Sequence, residues 1–175
     1  VRDELLKVWP KDGLATVLDL GCRDAWFTAG LPGVTRHVGV DIWPEALALG
    51  NEKAAAGHIP HFEGIQAEAL QFCEMTPTGA FDAVLAIDLL EHLGALPASM
   101  LVKEMYRVAS KLVVAWTTLG MIDQGPYDVD AKPNPYEQHN WGPTQAFFKG
   151  YNWQSTAYPD WHGDRGGAIL AWLSK

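Results

Sequence analysis

Val17-Leu18-Asp19-Leu20-Gly21-Cys22 reads as a buried β-strand ending in an acid and a glycine, and Val38-Gly39-Val40-Asp41 reads as a second strand ending in an acid. A strand, a short crossover and a second strand tipped by Asp form a nucleoside-binding layout. The carboxylate at the second tip accepts hydrogen bonds from both hydroxyls of a ribose, which a neutral side chain does less well. The two strands therefore point to an adenosine-containing cofactor.

The turn between them, Gly21-Cys22-Arg23-Asp24-Ala25-Trp26, decides which one. A dinucleotide pyrophosphate needs glycines for close backbone approach and a helix N-terminus free of negative charge. This turn has one glycine, with Arg and Ala where further glycines would fall, and Asp24 at the start of the next segment. S-adenosylmethionine has no phosphate and carries a sulfonium cation, so acids at strand tips attract it. The residues favour a methyl donor over a nicotinamide dinucleotide.

Asp19-Leu20-Gly21-Cys22-Arg23-Asp24-Ala25 resembles motif I of the class I S-adenosylmethionine-dependent methyltransferases. Gly39-Val40-Asp41-Ile42 is similar to their ribose-binding acid with the apolar residue beside adenine. Gln66-Ala67-Glu68 falls at their adenine-proximal motif, and Phe81 to Leu93 resembles their fourth strand and the turn after it. The likeness runs from about Thr16 to Thr117. It implies a Rossmann-like seven-stranded mixed sheet with helices on both faces and the last strand antiparallel. It also implies a cofactor site of Asp19, Gly21, Cys22, Asp41, Ile42, Gln66, Ala67, Asp88 and Leu89. Arg23 and Ala25 depart from the family's glycines, so Arg23 is expected to point out of the pocket or to pair with an acid or the cofactor carboxylate.

A length of 175 residues suits one domain with a full core. The net charge of −8 argues against a nucleic-acid partner, whose affinity comes mostly from Lys and Arg, and favours a small-molecule acceptor. Cys22 and Cys73 show neither metal-ligand spacing nor a disulfide framework, which suits a reducing compartment. No targeting segment is visible and no apolar run reaches the ~18 residues of a membrane span, so a cytosolic protein with no membrane contact is expected. The oligomeric state is not readable from the sequence.

Strands are expected near Thr16–Leu20, His37–Asp41, Phe62–Ala67, Ala83–Ile87, Lys111–Trp116, Asn152–Ala157 and Ala168–Leu173, with helices at Asp3–Val8, Ala25–Gly30, Pro44–Ala56, Ala98–Val108 and Thr144–Lys149. Thr118 to Trp141 holds prolines, aromatics and acids without a period, so it reads as a long acceptor-site loop, with Met121–Asn140 as a mobile lid.

Ligands of open parallel sheets sit beyond the carboxyl ends of the strands. Asp88 is expected to cap the next turn and line the methyl pocket. Asp88-Leu89-Leu90-Glu91-His92 resembles an acid-x-x-Glu-His arrangement that some family members use for a divalent metal, but a packing role is favoured and no metal is expected. His139, at the end of the long loop, is the candidate catalytic base for an acceptor that must lose a proton, with His162 second. His37, His58 and His61 are expected to be solvated at turns. Trp116, Trp141, Trp153 and Trp161 divide between core and acceptor-pocket floor. Two alternatives stay open: a catalytically silent cofactor- or partner-binding domain, and a nicotinamide-dependent oxidoreductase or epimerase.

Overall fold

A computed structural model describes residues 1–127 and 133–175. The elements are α1 (Arg2–Val8), β1 (Thr16–Leu20), β2 (Arg36–Asp41), α2 (Pro44–Ala55), β3 (Phe62–Gln66), α3 (Ala69–Met75), β4 (Phe81–Ile87), α4 (Ala95–Val108), β5 (Ala109–Leu119), α5 (Gln145–Lys149), β6 (Gln154–Tyr158) and β7 (Gly167–Ser174). A 3-10 turn, Leu90–His92, follows β4, and a second, Gly163–Arg165, precedes β7.

The strands form one sheet in the order β3-β2-β1-β4-β5-β7-β6. Strands β1 to β5 pair in parallel, while β7 runs antiparallel to both β5 and β6. The seven-stranded mixed sheet with an antiparallel last strand is therefore the one expected. In the centre, Leu18 lies opposite Val38 on one side and Val84 on the other.

Successive strand residues face opposite sides, so both faces of a parallel sheet need cover. Leu18, Leu20, Val84 and Ala86 join the core cluster that contains α3 and α4 residues; Val17, Ala83, Leu85 and Ile87 join the one that contains Leu5 of α1 and Trp116. Helix α4 buries Ala98, Leu101, Val102, Met105 and Val108, a stripe at helical spacing.

Three expectations change. Residues 25–30 form no helix: Ala25 has φ +56°, outside the right-handed region, and the single turn from its carbonyl to the Ala29 amide does not propagate. Helix α3, unforeseen because seven residues carry little periodicity, is set by Glu68, whose carboxylate accepts from the Leu70 and Gln71 amides. Trp116 and Trp153 are buried in the two core clusters, and Trp141 packs on Phe147 with its Nε1 donating to the Leu90 carbonyl, so these three serve packing. Among the described residues no helix is long and apolar enough to cross a membrane.

At the sheet end opposite the strand tips, Asp82 Oδ2 accepts from the Ala15 and Thr16 amides at 2.9 and 3.3 Å, and Oδ1 pairs with Lys111 at 2.9 Å. Burial works against the charge, but Lys111 and the two amides outweigh it and hold the carboxyl below its ordinary range. This contribution is present above the unfolded pKa and fades as pH falls through the lowered folded value. Asp82→Asn is expected to cost about 1–3 kcal/mol in urea unfolding at pH 7, less below pH 4, with cofactor affinity unchanged.

Candidate active site

The first half of the site is built where β1 ends. Gly21 has φ +65°, and a Cβ there would stand 2.9 Å from Leu89 Cδ1, so a side chain would be strained by conformation and would press on Leu89. Arg23 and Ala25 also adopt positive φ, +51° and +56°, at a cost of roughly 1–2 kcal/mol each for non-glycine residues. The turn holds them: the Arg23 amide donates to Asp41 Oδ2 at 2.7 Å and the Ala25 amide to the Cys22 carbonyl at 2.7 Å. Asp24 is neutralised by Lys53, which also lies over the Trp26 ring. Cys22 is buried against Gly39, where an added Cβ would stand 2.6 Å from its sulfur.

Asp41 closes the first half. Its Oδ2 accepts from Arg23 and its Oδ1 from the Trp43 amide at 2.8 Å, with the Ile42 amide also close, which still leaves acceptor capacity on the carboxylate. Burial raises its pKa above the ordinary aspartate value, opposed by those amides. Asp19 is 2% exposed; its Oδ2 accepts from Thr28 Oγ1 at 2.5 Å, and its Oδ1 has no partner among the described residues. His37 is not solvated: it is buried on β2, with Nε2 3.5 Å from Asp19 Oδ2 and its ring edge-on to Phe62. Placed on a strand covered on both faces, it faces inward, whereas His58 and His61 are exposed.

The second half begins after β4. Asp88 has φ +50°, and its amide donates to the Trp116 carbonyl at 2.8 Å. It does not cap the next turn as expected: Leu89 holds that position without a side-chain bond. Glu91 is 1% exposed, accepting from Thr117 Oγ1 at 2.8 Å on Oε2 and from the Thr118 amide at 3.3 Å on Oε1. Burial raises the pKa of Glu91, and burial with the nearby Glu91 charge raises that of Asp88. The long loop is tied to this turn, the Asn140 amide donating to the Glu91 carbonyl at 2.8 Å and Asn140 Nδ2 to the His92 carbonyl at 2.5 Å.

His139 is thereby fixed at the loop's inner edge, 7% exposed, its Nδ1 2.8 Å from the Ile122 carbonyl and its ring 4.8 Å from that of His92. Burial, followed by the neighbouring His92, lowers its pKa, so the ring is neutral. Of the expected lid Met121–Asn140, residues 128–132 lie outside the described residues. Its described ends are bonded to each other, with Gln124 Nε2 donating to the Glu137 carbonyl and the Asn134 amide to the Pro126 carbonyl.

Both halves line one cavity of about 600 Å³, within the usual range of small-molecule sites. Asp19, Gly21, Cys22, Asp41, Ile42, Ala67, Asp88 and Leu89 border it, and so do His139 and His162. Gln66 does not: it sits exposed on the edge strand β3, its Nε2 3.5 Å from the Ile42 carbonyl. The aromatic walls come from Trp26, Phe27, Trp43 and Tyr136, the last two meeting edge-on, and not from the tryptophans expected. Trp43, two residues beyond Asp41, could have been found from that spacing; Tyr136 reaches the cavity through a loop that carries no periodic signal.

The sequence profile of a methyltransferase domain matches residues 18–113. The chain belongs to this methyltransferase domain family. The methyltransferase resemblance of the strand tips is thus established over most of its length, and S-adenosylmethionine is the cofactor. No functionally curated protein matches the sequence. Among solved structures, an S-adenosylmethionine-dependent methyltransferase from Mesorhizobium loti is similar with TM-score 0.69 at 14% identity, over 99% of this chain and 96% of that one. The N-methyltransferase NodS from Bradyrhizobium japonicum gives TM-score 0.69 at 14% identity, over 99% and 93%. The cyclase SpnF gives 0.70 at 12%, over 99% and 79%. At these identities the likeness is one of fold.

The residues present fit the cofactor. A buried, unpartnered carboxylate oxygen on Asp19 suits an ammonium group, and Asp41 retains acceptor capacity for a diol. Asp41→Ala is expected to weaken S-adenosylhomocysteine binding at least tenfold in calorimetry, since a charge-assisted hydrogen bond is worth ~1.5–3 kcal/mol. Because the ionised form binds and burial raises its pKa, wild-type affinity should fall on acidification at a higher pH than an ordinary aspartate would dictate. Arg23→Gly should bind as well as the parent or better; a tenfold loss would show that the guanidinium grips the cofactor carboxylate.

Proposed function

We propose that the chain moves a methyl group from S-adenosylmethionine to a small-molecule acceptor, and that its 175 residues work as one catalytic domain with residues 118–141 as the acceptor-side segment. The observation that carries this reading is the continuity of the cavity from Asp19 and Asp41 to His139 and Tyr136. A donor held at the strand tips would meet an acceptor held under the loop.

The cofactor supplies a methyl group already activated by its bond to a sulfonium. The chain's own residues then have three tasks. Asp41 holds the ribose and Asp19 Oδ1 the amino group, while Ile42 and Ala67 flank the adenine. Cys22, Gly21 and Leu89 shape a close-fitting wall, and the carboxyl of Asp88 faces the site from the tip of β4. Acidic groups at three strand tips favour a cation there. Trp43, Tyr136 and Phe27 exclude water, which favours in-line displacement.

The third task is acceptor activation, assigned to His139. With Nδ1–H donating to the Ile122 carbonyl, Nε2 carries a lone pair. The net charge of −8 favours a small acceptor over a nucleic acid. Both cysteines are free and buried, in keeping with the cytosol. A silent cofactor-binding domain is the second reading, favoured by Arg23 and Ala25 at positions that strain a non-glycine residue.

The test is a screen of small acceptors by mass spectrometry for the gain of one methyl group, with S-adenosylhomocysteine binding measured in parallel. Binding with turnover is the expected result; binding with no methylated product from any acceptor supports the silent domain. His139→Ala is expected to lower kcat by about 100-fold or more while S-adenosylhomocysteine affinity stays within about threefold.

A further inference from the structure

Glu91, His92 and His139 form a cluster of a kind that a sequence reading of the Glu-His pair alone leaves as packing. One potential ligand atom from each lies within 4.8 Å of the others. Glu91 and His139 are buried and His92 is half-buried, so the group is not a solvated surface patch. It borders the cavity on the acceptor side.

The orientation of the three side chains is the second observation. His139 Nδ1 is 2.8 Å from the Ile122 carbonyl, which takes the Nδ1 proton and leaves Nε2 as a lone-pair donor, and His92 Nδ1 is 3.4 Å from the Gln138 carbonyl, which steers that ring from the loop. A histidine that ligates a metal usually donates its other ring N–H to just such a carbonyl. The Glu91 carboxylate is likewise oriented by Thr117 Oγ1, the Thr118 amide and its own backbone amide, short of filling its four lone-pair sites. Three donors from two separate segments, each steered by a second partner, converge at one wall of the cavity.

We propose that Glu91, His92 and His139 bind a divalent first-row transition-metal ion that positions and acidifies a hydroxyl of the methyl acceptor. Two imidazoles and one carboxylate suit zinc, iron, cobalt or manganese and disfavour magnesium and calcium, which prefer all-oxygen shells. Ligand atoms around a tetrahedral ion bonded at 2.0–2.2 Å stand about 3.3–3.6 Å apart, so the 4.8 Å spread closes with side-chain shifts of about an ångström. Three protein ligands leave coordination positions open to the cavity for the acceptor oxygen.

The proposal rests on the methyltransferase reading and states how His139 activates the acceptor: through the ion, which its Nε2 helps to hold. The metal-bound hydroxyl gives its proton to solvent water, and the alkoxide or phenolate oxygen forms the new O–CH3 bond. The S–CH3 bond breaks with its electron pair returning to sulfur, leaving S-adenosylhomocysteine. No redox change is involved. The acceptor class is therefore an alcohol or phenol small enough for the cavity.

The experiment is a titration of the metal-free protein with Co2+ alone and Zn2+ alone, by calorimetry and by the visible d–d spectrum of bound cobalt, with S-adenosylhomocysteine binding measured on the same sample. One cobalt per chain with a four- or five-coordinate spectrum is expected. His92→Ala, His139→Ala and Glu91→Gln should each weaken it by about 100-fold or more, while His58→Ala, at an exposed histidine, leaves it unchanged. Thermal melts identify any variant that does not fold, and the wild-type titration stands without the variants. Full S-adenosylhomocysteine binding with no saturable cobalt or zinc site, or a site that survives all three substitutions, overturns the metal assignment and leaves the methyltransferase reading intact. Loss of S-adenosylhomocysteine binding in the wild type would instead strike at that reading, even if cobalt bound.

Discussion

Parallel pairing of β1 with β2 on one side and β4 on the other is the constraint from which the rest follows. Parallel neighbours need long crossovers, so the carboxyl ends of all three strands emerge at the same rim of the sheet. Asp19, Asp41 and Asp88 belong to those ends, and chain direction alone brings the three acids to one cavity. The crossovers also cover both faces, which is why β1 and β4 are buried at nearly every position and why an inward-facing polar residue such as His37 needs a partner, found in Asp19 and Thr28.

Burial of these acids, and to a smaller extent repulsion by neighbouring carboxylates, resists their ionisation, and the raised pKa values of Asp41, Asp88 and Glu91 express that conflict. Two kinds of partner relieve it. Backbone amides serve Asp41 and Glu91 from within the fold, fixing their orientation. The remaining capacity, including the orphan oxygen of Asp19, belongs to residues that line the cavity, where a cationic ligand would satisfy it. The same electrostatic logic accounts for a turn that tolerates arginine and aspartate where a pyrophosphate binder would need glycine and no negative charge.

The turn after β4 joins the strand-tip side of the cavity to its loop side. Carbonyls of Leu90, Glu91 and His92 accept from Trp141 Nε1, the Asn140 amide and Asn140 Nδ2, so a loop without regular structure is seated by three consecutive backbone acceptors. Its seating turns His139 toward His92. Fold alone does not set the reaction that follows, as the likeness to both an N-methyltransferase and a cyclase illustrates; the side chains in this cavity do.

The sequence by itself determined the strand series, the antiparallel end of the sheet, the family and most of the strand-tip residues that line the cavity. These rest on local signals: apolar runs, an acid at a strand tip, and Gly21 where a side chain would be strained. Local signals failed where conformation answers to distant partners. The stretch after Ala25 has helical composition, yet a positive φ held by the turn ends the helix before it begins. Gln66 has the right place in the motif, but on the edge strand it is exposed and does not border the cavity. Only the tertiary structure decided the loop side of the cavity, because Glu91, Tyr136 and His139 are brought to it through hydrogen bonds between segments far apart in the chain, and no spacing along the sequence encodes the direction in which a loop's side chains point once its backbone is pinned elsewhere.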